Sequence, residues 1–478
     1  MAHRGHCQMG QEISRARFAP ADFARFAARL DAETALLGAW LADGRCDARA
    51  YVCGFELEAW LLDHSFFPYP INETYLARLA SALVVPELSR FNVELNGTPQ
   101  PLAAGALLAL ERELEATWQQ CIRTAHELEG TLVAIGTLPT IRARDLTLAN
   151  ISPLKRYAAL NEQVLAARGG RALRIAIDGR ERLALAHHDV MLEAATTSFQ
   201  VHLQTPAQFA ARYYNASSIL SAPMVAASAN SPFLFGRDLW DETRIPLFEQ
   251  AVDTGDGRRR VTFGNAYLES SAIECFRENL AAFPALLPIC EEAPPEALAH
   301  LRLHNGTIWR WNRMLVGFDA DGAPHVRIEH RVMPAGPTLI DMIANAALYL
   351  GAVRTLATGS RAPEAMLPFA VARENFYRAA RDGLAARLVW FDGRERDARS
   401  VLLDEIVPMA RDGLAAFGLD EDERDRYLDL VVARVRTRQN GAAWQRAHAA
   451  AHRRDPFRLV ADYLEHQRSG MAVHEWPV

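Results

Sequence analysis

Four short segments place chemically capable side chains at every second position. In GFELEAWL, Glu56 and Glu58 alternate with Phe55, Leu57 and Ala59. In FNVELN, Asn92, Glu94 and Asn96 alternate with Phe91, Val93 and Leu95. In SFQVHLQ, Gln200 and His202 alternate with Phe199, Val201 and Leu203. In VRIEHRV, Arg327, Glu329 and Arg331 alternate with Val326, Ile328 and His330. Residues i and i+2 of a strand share a face, so each segment reads as a strand with one apolar and one polar side.

If the four strands share a sheet, their polar faces pool into a trough. Carboxylates packed side by side raise one another's pKa and need counter-charge. Divalent cations supply it. Oxygen donors with one imidazole suit Mg²⁺ or Mn²⁺, hard ions that keep positions open for phosphate oxygens. Arg327 and Arg331 on the same face offer a fork of donors to phosphate or carboxylate. A solvated antiparallel face alternates in the same way. It usually carries Thr, Lys, Ser and Arg, whereas here the aligned positions hold Glu, Glu, Glu, His and Glu.

The elements that must position these residues follow from the surrounding pattern. Residues 1–47 open with MAHRGHCQMG and continue as an amphipathic helical segment; His3, His6 and Cys7 are potential metal donors on a frayed terminus. Residues 48–358 mix the strands, with TLVAIGTLP as another, and long helices over 101–129, 206–229 and 337–358. Pro337 and Asp341 suit the start of the last of these, Asp341 as a first-turn acid. Residues 359–478 read as helical throughout, with Asp420 and Asp455 as N-caps. The expectation is an α+β chain. Its core is a curved, mainly antiparallel sheet with a metal-binding concave face and helices outside, followed by an all-helical C-terminal part packed on that core.

Composition removes several function classes. The chain has 478 residues, 52 Lys+Arg and 58 Asp+Glu, for a net charge of −6. That balance argues against nucleic acid as a partner. Lys155 is the only lysine and no G-x-x-x-x-G-K-[ST] motif occurs, so P-loop chemistry is absent. The six cysteines form no C-x-x-C pair, no apolar run reaches membrane-span length, and no secretory signal is visible. A cytoplasmic location without membrane contact is expected.

The ordered set GFELE, VELNGTP, TSFQVHLQ, HNGTIWRWNR and RIEHRVMPAGPTLIDMIANAA resembles the glutamate–cysteine ligase family of bacterial and plant type. That family lies within the glutamine synthetase superfamily of carboxylate–amine ligases. The resemblance spans roughly residues 50–350. It implies that ATP phosphorylates the γ-carboxylate of glutamate and that an amine, first of all L-cysteine, then displaces phosphate, as in glutathione biosynthesis. It implies two or three Mg²⁺ ions and small-molecule partners: ATP, glutamate and the acceptor. By the same resemblance Glu56, Glu58, Glu94, His202 and Glu329 are metal ligands, His202 also lies beside the nucleotide phosphates, and Arg331 steadies the transferring phosphoryl group.

Softer assignments are Arg244 as a holder of the substrate α-carboxylate or a surface arginine, and Lys155 and Arg156 as phosphate contacts or a solvent-facing pair. Gln200 is a binding candidate on the His202 face. Arg310 is a substrate candidate opposite Trp309 and Trp311, which read as core or adenine-adjacent packing. Two alternatives stay open: the same chemistry with another amino acid, a polyamine or a peptide as acceptor, and a catalytically silent ATP-binding protein. The oligomeric state is left open.

Overall fold

The computed structural model describes residues 12–46, 51–290 and 292–478. The proposed donors His3, His6 and Cys7 lie outside these residues. Among the described residues one sheet has eight strands. They are β1 (Val52–Leu62), β2 (Val84–Pro86), β3 (Asn92–Asn96), β4 (Gln100–Pro101), β5 (Thr131–Val133), β8 (Phe199–Thr205), β13 (Asn312–Phe318) and β14 (Pro324–His330). Short pairings lie apart from it: β6 (Leu173–Asp178) with β7 (Arg182–His187), β9 (Phe233–Leu234) with β10 (Arg237–Asp238), and β11 (Val261–Thr262) with β12 (Trp309–Arg310).

The main sheet runs β13-β14-β8-β1-β3-β2, with β4 and β5 also paired to β1. Every pairing in it is antiparallel, and it curls into a half-barrel. This is the mixed α+β architecture expected from the alternating segments.

The apolar face is the core. Leu57, Ala59, Val93, Leu95, Phe199, Leu203, Val326 and Ile328 are all fully buried. Helices Ala210–Ser228 and Leu339–Thr358 pack against the sheet at β8, β13 and β14. Both helices are buried nearly all round, so their few polar groups need internal partners. In the first, Ser217, Ser218, Ser221 and Ser228 donate their hydroxyls to carbonyls one turn back. The second starts at Thr338, whose hydroxyl accepts the Asp341 amide. Leu339–Thr358 is long and apolar enough to cross a membrane, but its most apolar stretch is 78% buried inside the molecule.

The sequence placed Asp341 as a first-turn acid, and the structure adds a larger role. Its Oδ1 meets Arg434 Nη2 at 2.6 Å, with both side chains buried. Arg434 belongs to helix Glu421–Thr437, so this pair ties the C-terminal helices to the helix behind the sheet. Helix Val407–Ala416 sits still closer to Leu339–Thr358. A side chain at Gly351 would strike the Ala410 backbone, and one at Gly413 would strike Gly351. Only glycine allows that approach.

Residues beyond 359 are not wholly helical. Strands β15 (Arg387–Val389) and β16 (Glu395–Asp397) form a hairpin. Its turn, W-F-D-G-R-E, uses Gly393 at φ 75°. Such an Asp–Gly step is a hairpin signal that the helical pattern on either side masks. At the other end, helix Pro20–Ala42 is fastened by Glu33, whose Oε1 lies 2.5 Å from His300 Nδ1.

Candidate active site

Register places the polar positions in a band across the sheet. Glu58 lies opposite Glu94, Glu56 opposite Gln200, and His202 opposite Glu329. Directly opposed residues in a pleated sheet point to the same side, with Cβ atoms about 5 Å apart. Sequence-distant carboxylates are thereby forced together.

They gather in two groups. Glu56, His202 and Glu329 each offer a ligand atom within 4.8 Å of the other two. His202 Nε2 is 3.2 Å from Glu56 and 3.7 Å from Glu329. Glu58 and Glu94 form the second group, and Glu87, from the loop between β2 and β3, joins them. Glu56 and Glu58, two residues apart, therefore serve different groups.

A hydrogen-bonded chain links the groups. Arg313 donates two bonds to Glu329, at 2.7 and 2.9 Å. Arg331 donates to Glu329 at 3.1 Å and also to the Gln200 side chain. Gln200 donates to Glu58 at 3.1 Å, and the Ser198 amide donates to the other Glu58 oxygen at 2.7 Å. Asn96 donates to Glu94 at 2.9 Å. Arg327 donates to His202 Nδ1 at 3.2 Å.

The charges divide accordingly. Burial alone would raise Glu329, but Arg313, Arg331 and His202 outweigh it and hold the group well below the usual carboxylate range. Glu58 is pushed up to about 8 by burial and by Glu87. Glu94 is raised well above its ordinary value by burial and by Glu56, Glu87 and Glu58. Glu193 is raised likewise, by burial and by Glu87 and Glu58. One group is neutralised from within. The other is an acidic cluster that an added cation would relieve.

Glu56 of the first group and all three residues of the second line a cavity of about 450 Å³. Its acidic part is lined by Glu56, Glu58, Glu87, Glu94 and Glu193. Its apolar part is lined by Val252, Leu287, Leu303, Trp309 and Leu315, with Arg302 and Arg327 also on the wall. An apolar wall facing a charged one suits a small molecule that carries charged groups.

The remaining sequence-based candidates separate. Arg156 lines the cavity, with its guanidinium 4.5 Å above the Tyr157 ring. Lys155 does not line it; it is exposed and its Nζ donates to the Ser14 carbonyl. Arg244 is neither a surface residue nor a cavity residue. It is buried, paired with Glu242 at 3.1 Å, and donates to the carbonyl of Val332 at 2.5 Å. It thus braces the chain next to Arg331. Arg310 is likewise turned inward, to Glu278 at 3.0 Å and Asn279 at 2.8 Å. A short-range reading cannot tell an arginine aimed at a ligand from one aimed at an internal carboxylate. Trp309 lines the cavity, whereas Trp311 is core and donates to Glu249.

Four site residues, Glu87, Glu193, Arg302 and Arg313, escaped the sequence reading. Glu87 sits in a loop and Glu193 in the short 3-10 helix Val190–Ala195, neither with a periodicity to mark it. Arg313 lies on β13, and the run MLVGF followed by D-A-D-G and VRIEH was a readable hairpin signal.

Carboxylate groups able to hold cations, beside arginines able to hold phosphate, on the polar face of a curled sheet, are the parts of an ATP-dependent ligase. Residues 52–462 match the model of glutamate-cysteine ligase family 2 (GCS2), and the chain belongs to that family. It is an ATP-dependent ligase. Among solved structures, the glutamate–cysteine ligase of Francisella tularensis, solved in complex with AMP, is similar at a TM-score of 0.53 and 12% identity. That match covers 90% of this chain and 91% of the other. A bifunctional glutathione synthetase from Pasteurella multocida is similar at a TM-score of 0.54 and 10% identity, over 91% of this chain and 54% of that one. At such identities these likenesses concern the fold. No curated protein matches the chain in sequence.

Proposed function

We propose that this enzyme uses ATP to phosphorylate the γ-carboxylate of glutamate and joins the product to L-cysteine. The supporting observation is the pair of carboxylate groups bridged by Arg331 and Gln200 on one cavity, in a chain of this family. In the first step a carboxylate oxygen of glutamate takes the γ-phosphoryl group and ADP leaves. In the second, the acceptor nitrogen attacks the acyl carbon, phosphate leaves, and the nitrogen gives up a proton.

The donor set fits divalent cations. Glu56, His202 and Glu329 would hold one, and Glu58, Glu94 and Glu87 a second. Glu329 Oε2 already accepts from both Arg313 and Arg331, but Oε1 accepts only from Arg313 and keeps a further lone pair. Mg²⁺ bound there would neutralise phosphate charge. Arg331 reaches the same space and steadies the transferring group, since phosphoryl transfer rests on positioning and charge neutralisation. Arg313 holds Glu329 in place, and Gln200 orients Arg331. Arg156 and Arg302 are the cavity arginines left to meet phosphate or substrate carboxylate. In this reading residues 48–358 form the catalytic core and 359–478 a region docked behind it. A cytoplasmic setting agrees with Cys53, Cys121, Cys275 and Cys290, which are free thiols.

A second reading keeps the chemistry and changes the acceptor. It is favoured by Glu87 and Glu193 on the wall, which would attract any ammonium-bearing acceptor. ADP release from ATP, Mg²⁺, glutamate and a panel of amines tests both. Release that depends on cysteine, or on its isostere 2-aminobutyrate, is expected. Release with another amine alone would select the second reading, and no release with any pair would overturn both.

A further inference from the structure

The last two long helices carry a donor set that the active site does not use. His448 lies on helix Gly441–Ala451 and His452 is its C-terminal cap residue. The i, i+4 spacing sets both imidazoles on one face, and their ring centroids are 4.4 Å apart. Asp462, on helix Pro456–Ser469, faces them. One ligand atom from each of the three residues lies within 4.8 Å of the other two.

The state of His448 is the second observation. The residue is 1% exposed. Its Nε2 is 2.7 Å from Asp462 Oδ2, while its Nδ1 is buried and has no hydrogen-bond partner. A buried polar atom left without a partner costs about 1–3 kcal/mol. Asp462 also accepts from Arg458 at 3.4 Å, but that arginine is 55% exposed and has room to swing into solvent. None of the three residues lines the active-site cavity.

We propose that His448, His452 and Asp462 form a second metal site, for a divalent transition ion of the zinc type. Two imidazoles and one carboxylate suit zinc, with a fourth position for water. They suit Mg²⁺ poorly, because it prefers oxygen donors in a near-ideal octahedron. An ion there cross-links the two helices. The second of them reaches the main sheet: Tyr463 and Gln467 donate to the Ala134 carbonyl at 2.9 and 2.8 Å, one residue beyond β5. The site therefore acts as a staple that fastens the C-terminal helices to the body of the enzyme, stabilising the folded state by mass action.

The test uses the full-length protein dialysed against zinc chloride with magnesium chloride in large excess, so that Mg²⁺ competes for the active-site carboxylates. Zinc per chain and melting temperature are measured for the wild type, His452→Gln and Asp462→Asn. The wild type is expected to retain about one zinc per chain more than either variant. Zinc should raise the melting temperature of the wild type alone, and Mg²⁺-dependent turnover of the zinc-free proteins should be unchanged. Equal zinc content in all three proteins would overturn the site. So would an equal zinc-induced rise in melting temperature, since binding elsewhere would then account for both.

Discussion

Arg313 and Glu329 face each other across β13 and β14 and are joined by two parallel hydrogen bonds, at 2.7 and 2.9 Å. Both are buried. With Arg331 and His202, Arg313 holds well below the usual range a carboxylate that burial alone would raise.

Removing one partner of such a pair leaves the other charged and unpaired. Arg313→Ala is expected to cost about 3–5 kcal/mol of folding free energy, read from urea denaturation. Arg313→Lys keeps the charge but loses the fork, so it should fold with a smaller loss. Its turnover should still fall by roughly a hundredfold if Glu329 must be held in one orientation. A Lys variant with full turnover would show that a charge alone suffices.

Glu56 offers the cleaner test of the acidic band, because no arginine depends on it in the way Arg313 depends on Glu329. Glu56→Gln removes a charge and keeps the shape. Turnover is expected to fall by about a hundredfold or more while the circular dichroism spectrum is unchanged. Near wild-type turnover would remove Glu56 from the proposed ligand set.

Magnesium should stabilise the free enzyme. Glu58, Glu87 and Glu94 repel one another, and a bound cation relieves that repulsion. The melting temperature is expected to rise with Mg²⁺ concentration in the wild type and to rise less in Glu94→Gln. Because the substitution removes repulsion, the variant should also be the more stable protein after chelation. An identical Mg²⁺ response in both proteins would place the ion elsewhere.

His304 should give the fold an acid-side weakness. Burial lowers its pKa from the ordinary 6.5 to about 4, although its bond to the Phe283 carbonyl works the other way. Below pH 6.5 the unfolded chain takes up a proton that the folded chain refuses, so stability falls with pH until about 4. The loss reaches at most about 3.5 kcal/mol, since each tenfold change in proton affinity is worth roughly 1.4 kcal/mol. His304→Gln should flatten that slope, measured by urea denaturation at stepped pH.

Much of the site was legible because side-chain direction in a strand is local. Alternation at Glu56, Glu58, Glu94, His202 and Glu329 decides which residues share a face before any partner strand is known. The same logic assigned Val326, Ile328 and His330 to the opposite side, where His330 stacks on Tyr349 at 4.0 Å. Arg244 and Arg310 show where local reading stops. Each looked like a ligand-binding arginine, and each is committed to an internal carboxylate, Glu242 or Glu278, whose position depends on how loops and helices pack.

The sequence by itself determined the alternation, the apolar helices behind the sheet and the acidic character of one face, because these follow from periodicities of two and 3.6 residues. Tertiary structure decided strand order. That order set Arg313 against Glu329, drew Glu87 and Glu193 to the cavity wall, and divided one row of carboxylates into two groups. The physical reason is that pairing energy between strands comes from residues far apart in the chain, so no segment carries the identity of its neighbour.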